Sequence, residues 1–165
     1  MGSVNQYTLH AGTGGGECKL DPNVAARYRN KDGGSQQKNF LGKPVGLECV
    51  SSFGHDAGCG VKDFEGSAGH PFNAAGGGVV AMLWDETQIA FWRFKRNKVP
   101  EDIHRGHPNP ETWGVPVAYW SNKSCDITKA FRNHNSTSIH SDYLAGLLHR
   151  LSYSLFSYHQ HRGLW

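Results

Sequence analysis

Nothing in the chain forms a dense basic stripe. Charged residues are 19% of its 165 positions and the net charge is +3. Arg93, Lys95, Arg96 and Lys98 form the one basic cluster, which reads best as a solvated strand end. A nucleic-acid partner is therefore not expected. No two of the cysteines, Cys18, Cys49, Cys59 and Cys125, stand at C-x-x-C spacing, which argues against a zinc ribbon. His104 with His107, and His159 with His161, have no cysteine or carboxylate to complete a tetrahedron, so no metal site is expected. The leucine-rich C-terminal stretch is interrupted by His149 and Arg150 and is not read as a membrane span. Met1 to Gly16 has no apolar h-region of the kind a signal peptide carries. The glycine runs Gly12 to Gly16 and Gly76 to Gly78 do not lead into G-K-S/T, so they read as turns rather than phosphate loops. No cofactor is expected.

Glycine and aromatic residues are abundant instead. The chain holds 21 glycines, 7 prolines and 12% aromatics. Such a composition favours many turns, few long helices and short apolar strands, as in a sandwich or barrel. Four widely spaced cysteines suit disulfides in an oxidising compartment. Asn122-Lys-Ser124 and Asn135-Ser-Thr137 are N-glycosylation sequons, compatible with secretion and common by chance.

Local patterns place the elements. Val4 to His10 alternates as a strand, with Tyr7 and Leu9 against Thr8 and His10. Asp21 to Lys43 is polar and reads as a long surface loop, Val45 to Phe53 as a strand, and Gly54 to Gly69 as a loop holding Cys59. Gly77 to Trp84 and Gln88 to Phe94 are β-prone runs around a three-residue polar break, the pattern of a hairpin. Alternation puts Trp92 and Phe94 on one face and Phe91 and Arg93 on the other. Four prolines then punctuate a loop before a strand from Val115 to Trp120. Beyond residue 135, Leu144, Leu147, Leu148, Leu151 and Leu155 recur at helical spacing, with Ser141 or Asp142 as an N-cap. That tail either packs on the sandwich or is foreign to it, and its divergence favours the second.

An ordered set of short motifs runs through the first four fifths of the chain. Asn5-Gln6-Tyr7-Thr8-Leu9-His10 resembles an N-Q-M-T-L-H strand, and Gly58-Cys59-Gly60-Val61 a G-C-G-V turn. Phe72-Asn73 with Gly76-Gly77-Gly78-Val79, then Trp84-Asp85 with Ile89 and Trp92, follow in order. Val99-Pro100-Glu101-Asp102-Ile103, Pro108-Asn109-Pro110, Trp113-Gly114, and Cys125-Asp126-Ile127 with Phe131 complete the set. Together these resemble glycoside hydrolase family 16, in its fungal endo-β-1,3(4)-glucanase or laminarinase-like branch, over residues 4 to 134. The resemblance implies an all-β fold, a partial jelly-roll (concanavalin A-like) β-sandwich, with residues 135 to 165 as the divergent tail. It implies retaining hydrolysis of β-1,3(4)-glucan, which needs two carboxyl groups roughly 5 Å apart. It also implies an extracellular setting.

The family supplies those carboxyls from an E-x-D-x-x-E strand, and no such pattern occurs here. Asp63 with Glu65 is assigned to a loop and Asp85 with Glu86 to a hairpin tip. No residue is expected to be catalytic, and the chain is expected to be inactive alone. The alternative is a non-catalytic glucan-binding or protein-interaction module. His10 matches a cleft histidine and is a candidate glucan contact, with an ordinary half-exposed strand histidine as the plain reading. Trp92 is the other candidate contact. For Trp84, Trp92 and Phe94 alike, the sandwich core is the favoured account over stacking on sugar. Cys125 resembles a cysteine whose partner lies in a segment not found here, which would leave it unpaired. The resemblance implies β-glucan as a partner. A sandwich lacking strands also exposes sheet edges, so a protein partner covering those edges is expected, with aggregation in its absence.

Overall fold

The computed structural model describes residues 4–24, 28, 39–131 and 156–159, the last as backbone only. Among these residues seven strands form two sheets. The first has the order β1-β3-β2, with β1 at Gln6–Leu9, β2 at Lys43–Gly46 and β3 at Cys59–Lys62. The second has the order β6-β5-β4-β7, with β4 at Gly78–Trp84, β5 at Gln88–Lys95, β6 at Ala118–Ser121 and β7 at Phe156–His159. All pairings are antiparallel except β4 with β7. Three short helices, α1 at Gly69–Ala74, α2 at Glu101–His104 and α3 at Ile127–Ala130, decorate the connections. The expected helix over Leu144 to Leu155 lies outside the described residues. So do both the Asn135 sequon and His161.

The β4–β5 hairpin forms where the alternation places it. Its register runs from Gly78 opposite Lys95 to Trp84 opposite Ile89. Asp85 builds the tip. Its Oδ1 accepts from Thr87 N at 2.7 Å, Thr87 Oγ1 at 2.6 Å and Gln88 N at 3.0 Å, and its Oδ2 accepts from Gln88 Nε2 at 3.1 Å. A carboxylate that accepts local backbone N–H groups stabilises a turn in the manner of an Asx motif. Burial acts to raise the Asp85 pKa, but the bonds from Thr87 and Gln88 outweigh it and hold the carboxyl below its usual range. A depressed carboxyl contributes stability that is present above the unfolded-state value and is lost as pH falls through the folded one. We therefore expect Asp85→Ala to cost about 1–2 kcal/mol at neutral pH, the range for losing such a cap. Thermal melts should show that deficit begin to shrink below the unfolded-state carboxyl value, about pH 4, and vanish as pH falls on through the lower folded-state one. A deficit independent of pH would mean the carboxylate charge is irrelevant to the turn.

β5 is the spine of the second sheet and packs on both faces. Its Phe91 stacks on Tyr7 of the first sheet at 4.7 Å between centroids and meets Trp120 at 6.2 Å. Trp92 faces away, enclosed by Tyr28 at 4.9 Å and Trp113 at 5.2 Å. Phe94 also meets Trp113, at 5.5 Å. The split of Trp92 and Phe94 from Phe91 is the one alternation requires. Tyr28 revises the reading of residues 21 to 43 as a surface loop. It is buried, and its hydroxyl donates to Gln88 Oε1 at 2.9 Å. Val24 and Phe40 are buried too. A few apolar residues widely spaced in a polar stretch show no periodicity, yet all three join the core, Tyr28 against Trp92 and Tyr119 of the second sheet.

Two further expectations are corrected. The strand placed at Val45 to Phe53 begins earlier, at Lys43, and its register shifts between Pro44 and Gly46. Proline has no N–H for the ladder, so a regular strand through it is interrupted. The residues after it make only isolated bridges, Lys19 to Glu48 and Ala11 to Val50. Conversely, Cys59–Lys62, read as loop, is the central strand of the first sheet. Four residues including Gly60 leave too little alternation to read.

Both disulfides are formed, Cys18–Cys125 and Cys49–Cys59, so Cys125 is not left unpaired. Lys19 N donates to Ser124 O at 2.9 Å and sets Cys18 opposite Cys125. Cys49 N donates to Cys18 O at 3.0 Å, which places the two bridges side by side. Asp63 lies in the loop just past β3, as assigned, but it is buried. Its Oδ2 accepts from Arg93 Nε at 2.6 Å and its Oδ1 from Arg93 Nη2 at 3.1 Å. Tyr7 also donates to it, at 3.4 Å. This polar clamp ties β1 and β3 to β5 across the sandwich. Burial, then the Asp63 charge, pushes the Tyr7 hydroxyl far above its usual range, so it stays protonated.

Candidate functional site

Residues i and i+2 of a strand share a face. On β1 and just past it, Gln6, Thr8 and His10 therefore project away from the core that Tyr7 enters. Thr8 lies opposite Gly60 of β3, and Gln6 opposite Lys62. Gly60 forms the floor between them. A Cβ built there would sit 3.3 Å from Gln6 Nε2, 3.3 Å from Thr8 Oγ1 and 3.0 Å from Val45 Cγ2. Gln6 Nε2 donates to Thr8 Oγ1 at 3.1 Å. The result is a shallow, mostly polar surface with a glycine at its centre, bordered by Val45 of β2.

His10 closes one end. Its Nδ1 is 3.0 Å from Ser51 Oγ and 3.7 Å from Asp56 Oδ1. The side chain is 48% exposed. With Nδ1 engaged by Ser51, Nε2 is left for a ligand. Gly58 makes this fit possible. It has φ +65°, and a Cβ there would press on the His10 ring at 2.9 Å as well as on the Leu9 carbonyl. Beside His10 is a depression of about 490 Å³ lined by Thr13, Ser51, Ser52, Phe53, Gly54 and Asp56. Phe53 is fully exposed at the tip of the Ser52–His55 turn. The sequence reading passed over Ser51, Phe53 and Asp56. Their signal is three-dimensional, because a disulfide-closed loop folds back on β1.

Trp92 is placed elsewhere. It is 2% exposed, and its Nε1 donates to Gly114 O at 3.0 Å, so its ring presents no face to solvent. Trp92 and His10 are not brought into one site.

Two of the acidic side chains weighed earlier, Asp63 and Asp85, are held by the fold. Asp63 is committed to Arg93, and Asp85 to the hairpin tip. Asp102 accepts from Asn109 N at 2.6 Å and Trp113 Nε1 at 2.8 Å, which fastens the proline-rich loop. Asp126 caps α3 through Lys129 N. Glu65 and Glu86 are exposed. No group of three or more His, Cys, Asp or Glu among the described residues is arranged to hold a metal ion.

A family profile described as "XgeA-like, catalytic GH16 domain" matches residues 1–139. The chain belongs to glycoside hydrolase family 16. This family 16 chain is 36% identical over 132 residues to a Schizosaccharomyces pombe protein named as a probable glycosidase, covering 79% of the chain and 28% of that protein. It is 34% identical over 134 residues to an endo-1,3(4)-beta-glucanase of Arthroderma benhamiae, covering 78% and 26%. Among solved structures it resembles an elongating family 16 β-1,3-glucosyltransferase, with TM-score 0.61, 29% identity and coverage of 79% and 37%. It also resembles Laminarinase 16A of Phanerochaete chrysosporium, with TM-score 0.57, 32% identity and coverage of 77% and 39%. That laminarinase is described with two β-glucans, in donor and acceptor sites. The all-β jelly-roll reading thus holds. The chain spans between about a quarter and two fifths of the length of these relatives.

Proposed function

We propose that this chain forms one wall of an extracellular β-1,3(4)-glucan site, with His10, Thr8 and Gln6 as its polar contacts. The observation that carries this is the outward row of Gln6, Thr8 and His10 over Gly60, ending in a histidine whose Nε2 is free of Ser51. Glucans offer dense hydroxyls and flat C–H faces, which such a row, with an exposed ring at Phe53, is suited to meet. Its 165 residues contain no E-x-D-x-x-E pattern, and its buried acids serve the fold. We therefore propose binding without hydrolysis by this chain alone.

The test uses insoluble β-1,3-glucan and laminarin. We expect retention on the polymer and no reducing-sugar release above buffer. His10→Ala should weaken retention up to about tenfold, the worth of one hydrogen bond near 1.4 kcal/mol. Undiminished binding by that variant would remove His10 from the site, and dose-dependent sugar release would overturn the non-catalytic reading. A second reading rests on β1, which is an edge strand of its sheet among the described residues. A protein partner adding a strand there is the alternative. Loss of glucan retention together with a stable protein complex would favour it.

A further inference from the structure

The Asn122-Lys123-Ser124 tripeptide lies on the turn that follows β6, at the opposite end of that strand from the proline-rich loop. Asn122 and Lys123 are exposed. The turn is held without the asparagine's side chain: Asn122 N donates to Thr87 O at 2.9 Å, Lys123 N to Ser121 Oγ at 3.2 Å and Ser124 N to Ser121 O at 3.2 Å. Among the described residues the Asn122 side-chain amide has no partner. Ser124 Oγ makes only a long bond, 3.4 Å, to Ser121 O. Beside the turn is an open groove of about 580 Å³, whose lining includes Lys19, Leu47, Glu48 and Asn122. Leu47 is half exposed there. Both disulfides call for an oxidising compartment during folding.

We propose that Asn122 carries an N-linked glycan, attached while the chain folds in the secretory lumen. The donor is a lipid-diphosphate-linked oligosaccharide. The Asn122 amide nitrogen bonds to the anomeric carbon as that carbon's bond to the diphosphate oxygen breaks. The lipid diphosphate leaves with the electron pair, and the amide proton passes to a base of the transferring enzyme. The first sugars then lie across the groove and cover Leu47. Transfer precedes closure of Cys18–Cys125, because the Lys19–Ser124 backbone bond and the disulfide one residue on draw Ser124 into the fold. This site is distant in sequence from His10 and stands whether or not the chain binds glucan.

The full chain is expressed behind a cleavable secretion leader in a eukaryotic host and recovered from the lumen. Glycans are released enzymatically in heavy-oxygen water and the peptides are mapped. Isotope incorporation at Asn122 is expected in most copies, lost in Ser124→Ala and kept in Ser124→Thr. Blocking disulfide formation with a reductant during synthesis is expected to leave occupancy equal or higher. An unmodified Asn122 in lumenal chain, or modification at Asn135 alone, overturns the proposal. Lower occupancy under reductant overturns the proposed order of events. Ser124→Thr keeps the tripeptide and the turn, so failure of one variant to fold does not decide the result.

Discussion

Arg93→Met should destabilise the protein by about 3–5 kcal/mol, because it strands a buried carboxylate. Asp63 is fully buried in its side chain and Arg93 is 13% exposed. The guanidinium is paired bidentately, at 2.6 and 3.1 Å, and that pairing holds Arg93 even more firmly charged than usual. Fork-to-carboxylate geometry of this kind is the strong form of the interaction. Nearby, Tyr7 stays protonated and donates, so it cannot replace the lost charge. Substituting both members, Asp63→Leu with Arg93→Met, should cost much less than the single change. An apolar pair leaves no uncompensated charge, and such replacements are often near neutral. Denaturant unfolding of wild type, both singles and the double gives the coupling. Singles that cost under about 1 kcal/mol would mean that water reaches Asp63 and screens it.

Removing the Cys18–Cys125 bridge should cost at least as much. The cysteines are 107 residues apart, and closing a loop of that size restricts the unfolded chain by about 4–5 kcal/mol in the chain-entropy account. Cys49 and Cys59 are only 10 apart, for which the same account gives just under about 3 kcal/mol. Paired alanine variants, compared by guanidinium midpoints, should rank in that order. The reverse order would show that the shorter bridge does more than restrict the unfolded chain. Its position, beside the loop that presents Ser51 and Asp56 to His10, is where such an additional role would arise.

How legible this was depends on the range of each interaction. The β4–β5 hairpin is local, and its alternation and polar tip state it directly. β1 is nearly as plain, because Tyr7 and Leu9 alternate with Thr8 and His10. The family 16 motifs carried the sandwich, which no local pattern here could. β3 was hidden because it is four residues long, contains Gly60 and is defined by neighbours on both sides. The Cys18–Cys125 pairing was hidden for a related reason. It depends on Lys19 meeting Ser124, a contact across most of the chain. His10 became a candidate through its match to a family 16 cleft histidine. Its setting was not legible, since Ser51 lies 41 residues on and is brought there by Ala11 N donating to Cys49 O and Ser51 N donating to Ala11 O, beside the Cys49–Cys59 bridge. Trp92 shows the opposite limit. Alternation gave its face correctly, but which cover lies on that face depends on Tyr28 and Trp113, each far along the chain.

The paired bridges also set the chain's connectivity as a graph. Cys18–Cys125 makes one large ring, and Cys49–Cys59 makes a small ring nested inside it. A single peptide-bond cut between residues 18 and 125 therefore opens a ring and releases no piece. His10 is outside the large ring and Ser51 inside the small one, and the two remain joined through Cys18, Cys125 or Cys49 after any one such cut. The surface that faces solvent at His10 thus stays joined to the Ser51 loop after a nick anywhere between residues 18 and 125.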